Sequence, residues 1–101
     1  MEKRTPHYPL SEVKRLIQEG SYRVTDSALS RATEDFRLTE LSEIAACVRS
    51  LTRGDFYKSM TTIHDSRLWQ DVYHGRAQEL RAYIKLQIVN ETTVIISFKL
   101  L

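Results

Sequence analysis

One cysteine, two prolines and three glycines among 101 residues leave several kinds of chemistry without the residues they need. Cys47 alone can close no internal disulfide, which suits a reducing compartment. Gly20, Gly54 and Gly75 stand apart from one another, so no glycine-rich loop is available to cradle a nucleotide phosphate. His7, His64, His74 and Cys47 are just as scattered, none in a C-x-x-C or H-x-x-x-H spacing. Metal catalysis therefore has no ligand set, and no cofactor is expected. No pattern supports a serine nucleophile. The longest strictly apolar run, Ile44 to Val48, is far short of the ~20 residues that span a membrane, and the opening MEKRTPHYPL lacks the apolar core of a signal peptide. A cytoplasmic location is expected.

What is present is ordinary globular composition, 42% hydrophobic and 28% charged, which argues against disorder. The length sets a single domain over residues 1–101, able to bury very roughly two thirds of the surface its unfolded chain exposes. Net charge is +2, but unevenly placed: residues 1–50 hold eight basic and eight acidic side chains, residues 51–101 seven and five. The second half thus points weakly toward a polyanion; the plain alternative is a slightly basic solvated surface.

Met1 to Pro9, with its two prolines, reads as an extended arm laid on the domain. Ser11 reads as an N-cap for a short helix with Val13, Leu16 and Ile17 at helical spacing and Gly20 at its end. Tyr22 to Thr25 is a short strand or an extended link, and Thr25 or Asp26 caps a second helix through Ala28, Leu29 and Ala32. Thr39 reads as the cap of a third, with Leu41, Ile44, Ala45, Val48 and Leu51 repeating every three or four residues.

From Asp55 the period switches to two. Phe56, Lys58, Met60 and Thr62 are expected on one face and Tyr57, Ser59 and Thr61 on the other; Gln70, Val72 and His74 share a face in the returning strand. The IHDSR stretch between them is a hairpin loop, so Lys58 and Gln70 become neighbours. A link around Gly75 leads to a strand from about Gln78 to Val89, with Ile84, Leu86 and Ile88 inward and Tyr83, Lys85 and Gln87 outward. Asn90 and Glu91 turn the chain into a last strand with Val94, Ile96 and Phe98 on one face. Helices first and antiparallel strands after predict an α+β domain, a twisted antiparallel sheet packed on one face by two to three N-terminal helices. The opposite face is left for a site.

The groups gathered there fit one reaction without a metal: attack of an RNA 2′-hydroxyl on its own 3′-phosphate, which requires a base, an acid and positive charge on the phosphorane. Lys58 can neutralise that charge, or act as base if cationic neighbours depress its pKa; otherwise it is a solvated strand lysine. Tyr83 can move a proton if cations lower its pKa, and is otherwise a half-buried aromatic. Gln70 can donate an amide hydrogen to a phosphate or base edge, and His74 is the nearby group that titrates near neutrality. Arg76, Arg81, Lys85 and Lys99 are general phosphate contacts; Tyr57 can stack on a base, whereas Trp69 is assigned to the core.

The opening MEKRTPH, the blocks DFYKSMTT and WQDVY, the triplet YIK at Tyr83 to Lys85 and the ending SFK at Ser97 to Lys99 together closely resemble the MqsR family of mRNA interferase toxins, the motility quorum-sensing regulators. Residues 22 to 50 match in pattern only. The resemblance implies a RelE-like toxin fold and a type II toxin that acts as a metal-independent endoribonuclease, cutting mRNA at GCU-type sites and arresting growth. It places the catalytic lysine, glutamine and tyrosine on Lys58, Gln70 and Tyr83, with Tyr57, Met60 and Lys99 flanking them on the RNA. It also implies an MqsA-type antitoxin partner, which carries the zinc-binding part and the helix-turn-helix that reaches operator DNA. Where the family carries an arginine directly after WQDVY this chain has His74, with Arg76 close enough to substitute on RNA; Ile63 and the IHDSR loop differ as well. The alternatives are a non-catalytic nucleic-acid binder or co-regulator acting with an antitoxin, and a protein-interaction domain.

Overall fold

The computed structural model describes Met1–Leu101. Glu2–Lys3 form strand β1, followed by helix α1 (Leu10–Gln18), β2 (Tyr22–Val24), α2 (Asp26–Phe36), α3 (Leu41–Arg49), a 3-10 turn at Arg53–Asp55, and strands β3 (Phe56–Thr61), β4 (Trp69–Ala77), β5 (Leu80–Val89) and β6 (Thr92–Leu100). The class is α+β, as expected. The six strands lie in the order β1-β3-β4-β5-β6-β2. The sheet is mixed rather than wholly antiparallel, because β2 pairs in parallel with β6. A parallel edge needs a long crossover, and here α2, α3 and strands β3–β5 supply it.

Local chemistry accounts for the helix ends. Thr25 Oγ1 accepts from the Ala28 amide, the N-cap expected for α2. The other two caps differ from expectation by one or two residues. Pro9 precedes α1, taking Ser11 into the first turn, and Glu40 rather than Thr39 caps α3 through a reciprocal box with Glu43. Gly20 ends α1 with φ +83°, a conformation that a side chain disfavours.

The helices cover one face. Val13, Ile17, Ala28, Ala32, Phe36, Ile44, Ala45, Val48 and Leu51 meet Tyr73, Ala77, Ala82, Ile84, Leu86, Ile95 and Phe98 in a single core. Gly75 lies within β4 and is no link: a Cβ there would come 2.6 Å from Leu51 Cδ2, so the glycine lets α3 close on the sheet. The hairpin turns at Gln78–Glu79 and Asn90–Glu91 both use two residues with positive φ, the geometry that matches sheet twist.

Two bulges change the expected faces. One at Tyr57 puts Phe56 with Ser59 and Thr61 toward the helices and leaves Lys58 and Met60 on the open side. The other, at Ile96, puts Ile95 and Phe98 on the core side and Val94, Ser97 and Lys99 opposite, so Val94 and Phe98 do not share a face. Trp69 is half-buried and outside the core, stacked on His7 with centroids 5.5 Å apart under Lys3 Nζ. No helix is long and apolar enough to cross a membrane.

Candidate functional site

The open face carries two transverse rows of side chains at its centre. In one, Lys58 on β3 pairs with Val72 on β4, which pairs with Lys85 on β5 and then Ser97 on β6. In the next, His74 on β4 pairs with Tyr83 on β5 and Lys99 on β6. Val72 is fully buried although no helix covers it, which the aliphatic stems of Lys58 and Lys85 on either side explain. It forms an apolar floor between two lysines.

Tyr57, pushed out by its bulge and 44% exposed, stacks on His74 with centroids 4.3 Å apart and an interplanar angle of 21°. His74 in turn lies 6.4 Å from the Tyr83 ring, and Lys99 Nζ sits 5.1 Å over that ring. Met60 pairs with Gln70, one step along the strands from the Lys58–Val72 pair, so Lys58 and Gln70 are diagonal neighbours. Arg76 pairs with Arg81 at the far end. All eight residues read from the sequence as site candidates, Lys58, Gln70, Tyr83, Tyr57, Met60, His74, Arg76 and Lys99, therefore share this face.

Their surroundings select among the roles that the sequence leaves open. Lys58 is pushed up, not down, because Glu2 Oε2 accepts from its Nζ at 2.7 Å. That partner was hidden in a segment read as an arm: Glu2 lies on β1, whose register opposite Met60 brings its carboxylate beside Lys58. Tyr83 is also raised, since burial outweighs the Lys58 charge that lowers it, so it is a neutral phenol. The lysine held low is Lys85, through burial and then the Lys99 charge. His74 is lowered by burial and then by Arg81, and is a neutral imidazole at pH 7. A depressed lysine is thus present in the same row, across Val72 from Lys58.

The arm that delivers Glu2 is itself anchored. Buried Asp71 accepts from the backbone amides of His7 at 3.0 Å and Tyr8 at 2.9 Å, and the Tyr8 hydroxyl donates to the Trp69 carbonyl at 2.8 Å. Lys3 Nζ and His7 Nδ1 lie 3.0 Å apart, a contact that needs His7 neutral at that nitrogen. No three His, Cys, Asp or Glu side chains converge as a ligand set. The face offers ammonium groups, a phenol, an imidazole, an amide and an exposed aromatic, which together can bind a phosphodiester, stack a base and relay protons.

Comparison with known proteins follows the same lines. A family model described as "Motility quorum-sensing regulator, toxin of MqsA" matches residues 5–100. A curated relative, the mRNA interferase toxin MqsR of Escherichia coli (strain K12), is 43% identical over 102 residues, covering 98% of this chain and 98% of its own length.

Proposed function

The chain belongs to the MqsR toxin family, and on that premise we propose that it is an mRNA interferase, an endoribonuclease of a type II toxin–antitoxin system that cuts mRNA at GCU-type sites and arrests translation. One observation carries the assignment of the site: Lys58, Gln70, Tyr83, Lys85 and Lys99 meet on the helix-free face around the Val72 floor. An MqsA-type antitoxin is the proposed partner, with zinc and operator DNA as its business.

In this reading the RNA 2′-oxygen attacks the adjacent phosphorus, the P–O5′ bond breaks, and the products are a 2′,3′-cyclic phosphate and a 5′-hydroxyl. Lys58, kept as an ammonium, neutralises the phosphorane charge. Tyr83, a neutral phenol, gives its proton to the departing 5′-oxygen. Lys85, held low, takes the 2′-hydroxyl proton. Gln70 orients the phosphate or a base edge, Tyr57 and Met60 pack on a base, and Lys99 and Arg76 hold flanking phosphates.

The test is to incubate the chain with an unstructured RNA containing one GCU in excess EDTA and to map the cut and its ends. Cleavage at GCU leaving a 2′,3′-cyclic phosphate, lost in Tyr83→Phe, supports the reading. No cleavage by folded protein leaves a non-catalytic RNA binder.

A further inference from the structure

A second concave site lies on the helix side of the sheet, beneath the N-terminal arm. It is a cavity of about 480 Å³ whose walls include Arg4, Pro6, Leu10, Arg53, Phe56 and Tyr73. That is a volume suited to a small organic ligand. Three observations describe what it would take.

First, Arg4 and Arg53 both line this cavity, and neither is in an ion pair. Arginine is a planar fork suited to bidentate contact with phosphate or carboxylate. Second, the Tyr73 hydroxyl is the only buried side-chain oxygen or nitrogen without a hydrogen-bond partner in the chain. Tyr73 is 1% exposed, and leaving a buried donor unmet costs about 1–3 kcal/mol, so such groups are rare without a reason. Third, beside the polar His7 and Ser11, the wall has an apolar part made by Pro6, Pro9, Leu10 and the rings of Phe56 and Tyr73.

We infer that this cavity binds a small phosphate monoester or carboxylate carried on a ring, the oxyanion held by Arg4, Arg53 and the Tyr73 hydroxyl and the ring held against Phe56, Leu10 and Pro6. Burial and then the nearby Asp71 charge push Tyr73 up to about 12, so the phenol remains a donor toward an anion. Asp71 itself does not consume the arginines, because its two oxygens already accept from the His7 and Tyr8 amides. The site is separate from the open face, which Lys58 and Tyr83 occupy on the other side of the sheet, and its occupancy needs no RNA.

The experiment is a residue-resolved NMR titration of the intact chain with phenyl phosphate. Benzyl alcohol serves as the uncharged comparator and inorganic phosphate as the one without a ring. Saturable shifts are expected at the Arg4 and Arg53 side chains and the Tyr73 ring with phenyl phosphate, weaker ones with inorganic phosphate and none with benzyl alcohol. Tyr73→Phe, which removes only the hydroxyl, weakens binding about tenfold, and the double change Arg4→Gln with Arg53→Gln abolishes it. The inference is overturned by absence of saturable shifts at these residues, by undiminished binding in the double variant, or by equal binding of benzyl alcohol. Equal binding of inorganic phosphate overturns the ring-bearing ligand. Because cleavage is not the readout, failure here leaves the RNA-cutting proposal standing, and the reverse.

Discussion

Glu2 Oε2 and Lys58 Nζ meet at 2.7 Å across 56 residues of sequence, on neighbouring strands of the open face. The contact holds the lysine as an ammonium where the proposed mechanism needs positive charge, and it occupies one donor of that ammonium.

Glu2→Gln removes the first cause of the raised Lys58 pKa. A group raised in the folded protein falls back when its partner is lost, so the Lys58 titration midpoint moves to lower pH. Following the Lys58 side-chain carbon by NMR measures this directly. An unmoved midpoint means that the pair does not persist in solution.

Asp71→Asn keeps the shape but turns one acceptor into a donor facing a backbone amide, either of His7 or of Tyr8. Breaking one charge-assisted hydrogen bond at a buried site costs roughly 1.5–3 kcal/mol. Urea unfolding is expected to show a lower midpoint at unchanged slope. Since the arm carries Glu2, the variant also reproduces the Lys58 shift of Glu2→Gln.

If Lys85 accepts the 2′-hydroxyl proton, kcat/KM continues to climb with pH above neutrality toward a midpoint below the usual lysine 10.5, and Lys85→Gln flattens that limb while costing ~10²-fold or more. A profile that instead plateaus after rising below pH 6.5, flattened by His74→Gln, transfers the role to His74.

Stability should fall on mild acidification. His7 and His74 are both lowered in the folded chain, chiefly by burial, so the unfolded state binds more protons just below its ordinary pKa of 6.5. Unfolding free energy then rises with pH through that window and is lost as pH drops from about 6.5 to the lowered folded values. A thermal melt series from pH 7.5 to 5 is expected to show a falling Tm, with a shallower slope when both residues are changed to Gln.

Gly75→Ala inserts a methyl 2.6 Å from Leu51 Cδ2 and 3.1 Å from Ile84 Cδ1, both in the core. Overpacking of this kind costs about 1–3 kcal/mol. Calorimetry is the check, and a change under ~0.5 kcal/mol would show that the end of Leu51 moves aside freely.

Much of this was legible in the chain. The helical repeats around Leu16, Ala28 and Ile44 and the alternation of Ile84 and Leu86 against Tyr83 and Lys85 come from local periodicity, and they survive because each buries one apolar stripe. The Asn90–Glu91 turn is readable from the polar pair that interrupts the alternation. An isolated glycine such as Gly75 suggests a link, whereas in the folded chain its missing Cβ makes room for Leu51. The bulges at Tyr57 and Ile96 were invisible, since a two-residue period carries no sign of one extra residue.

By itself, then, the sequence determined the α+β class, the single core and the strands that carry the open face, because these follow from spacing along the chain and from a resemblance that spans nearly all of it. Tertiary structure alone decided the parallel edge strand, the side taken by Tyr57 and Phe98, the Glu2 partner of Lys58 and the choice of Lys85 over Lys58 as the lysine held low. Each of those depends on which strands lie side by side, and a pKa answers to charge and burial across strands that no local pattern records.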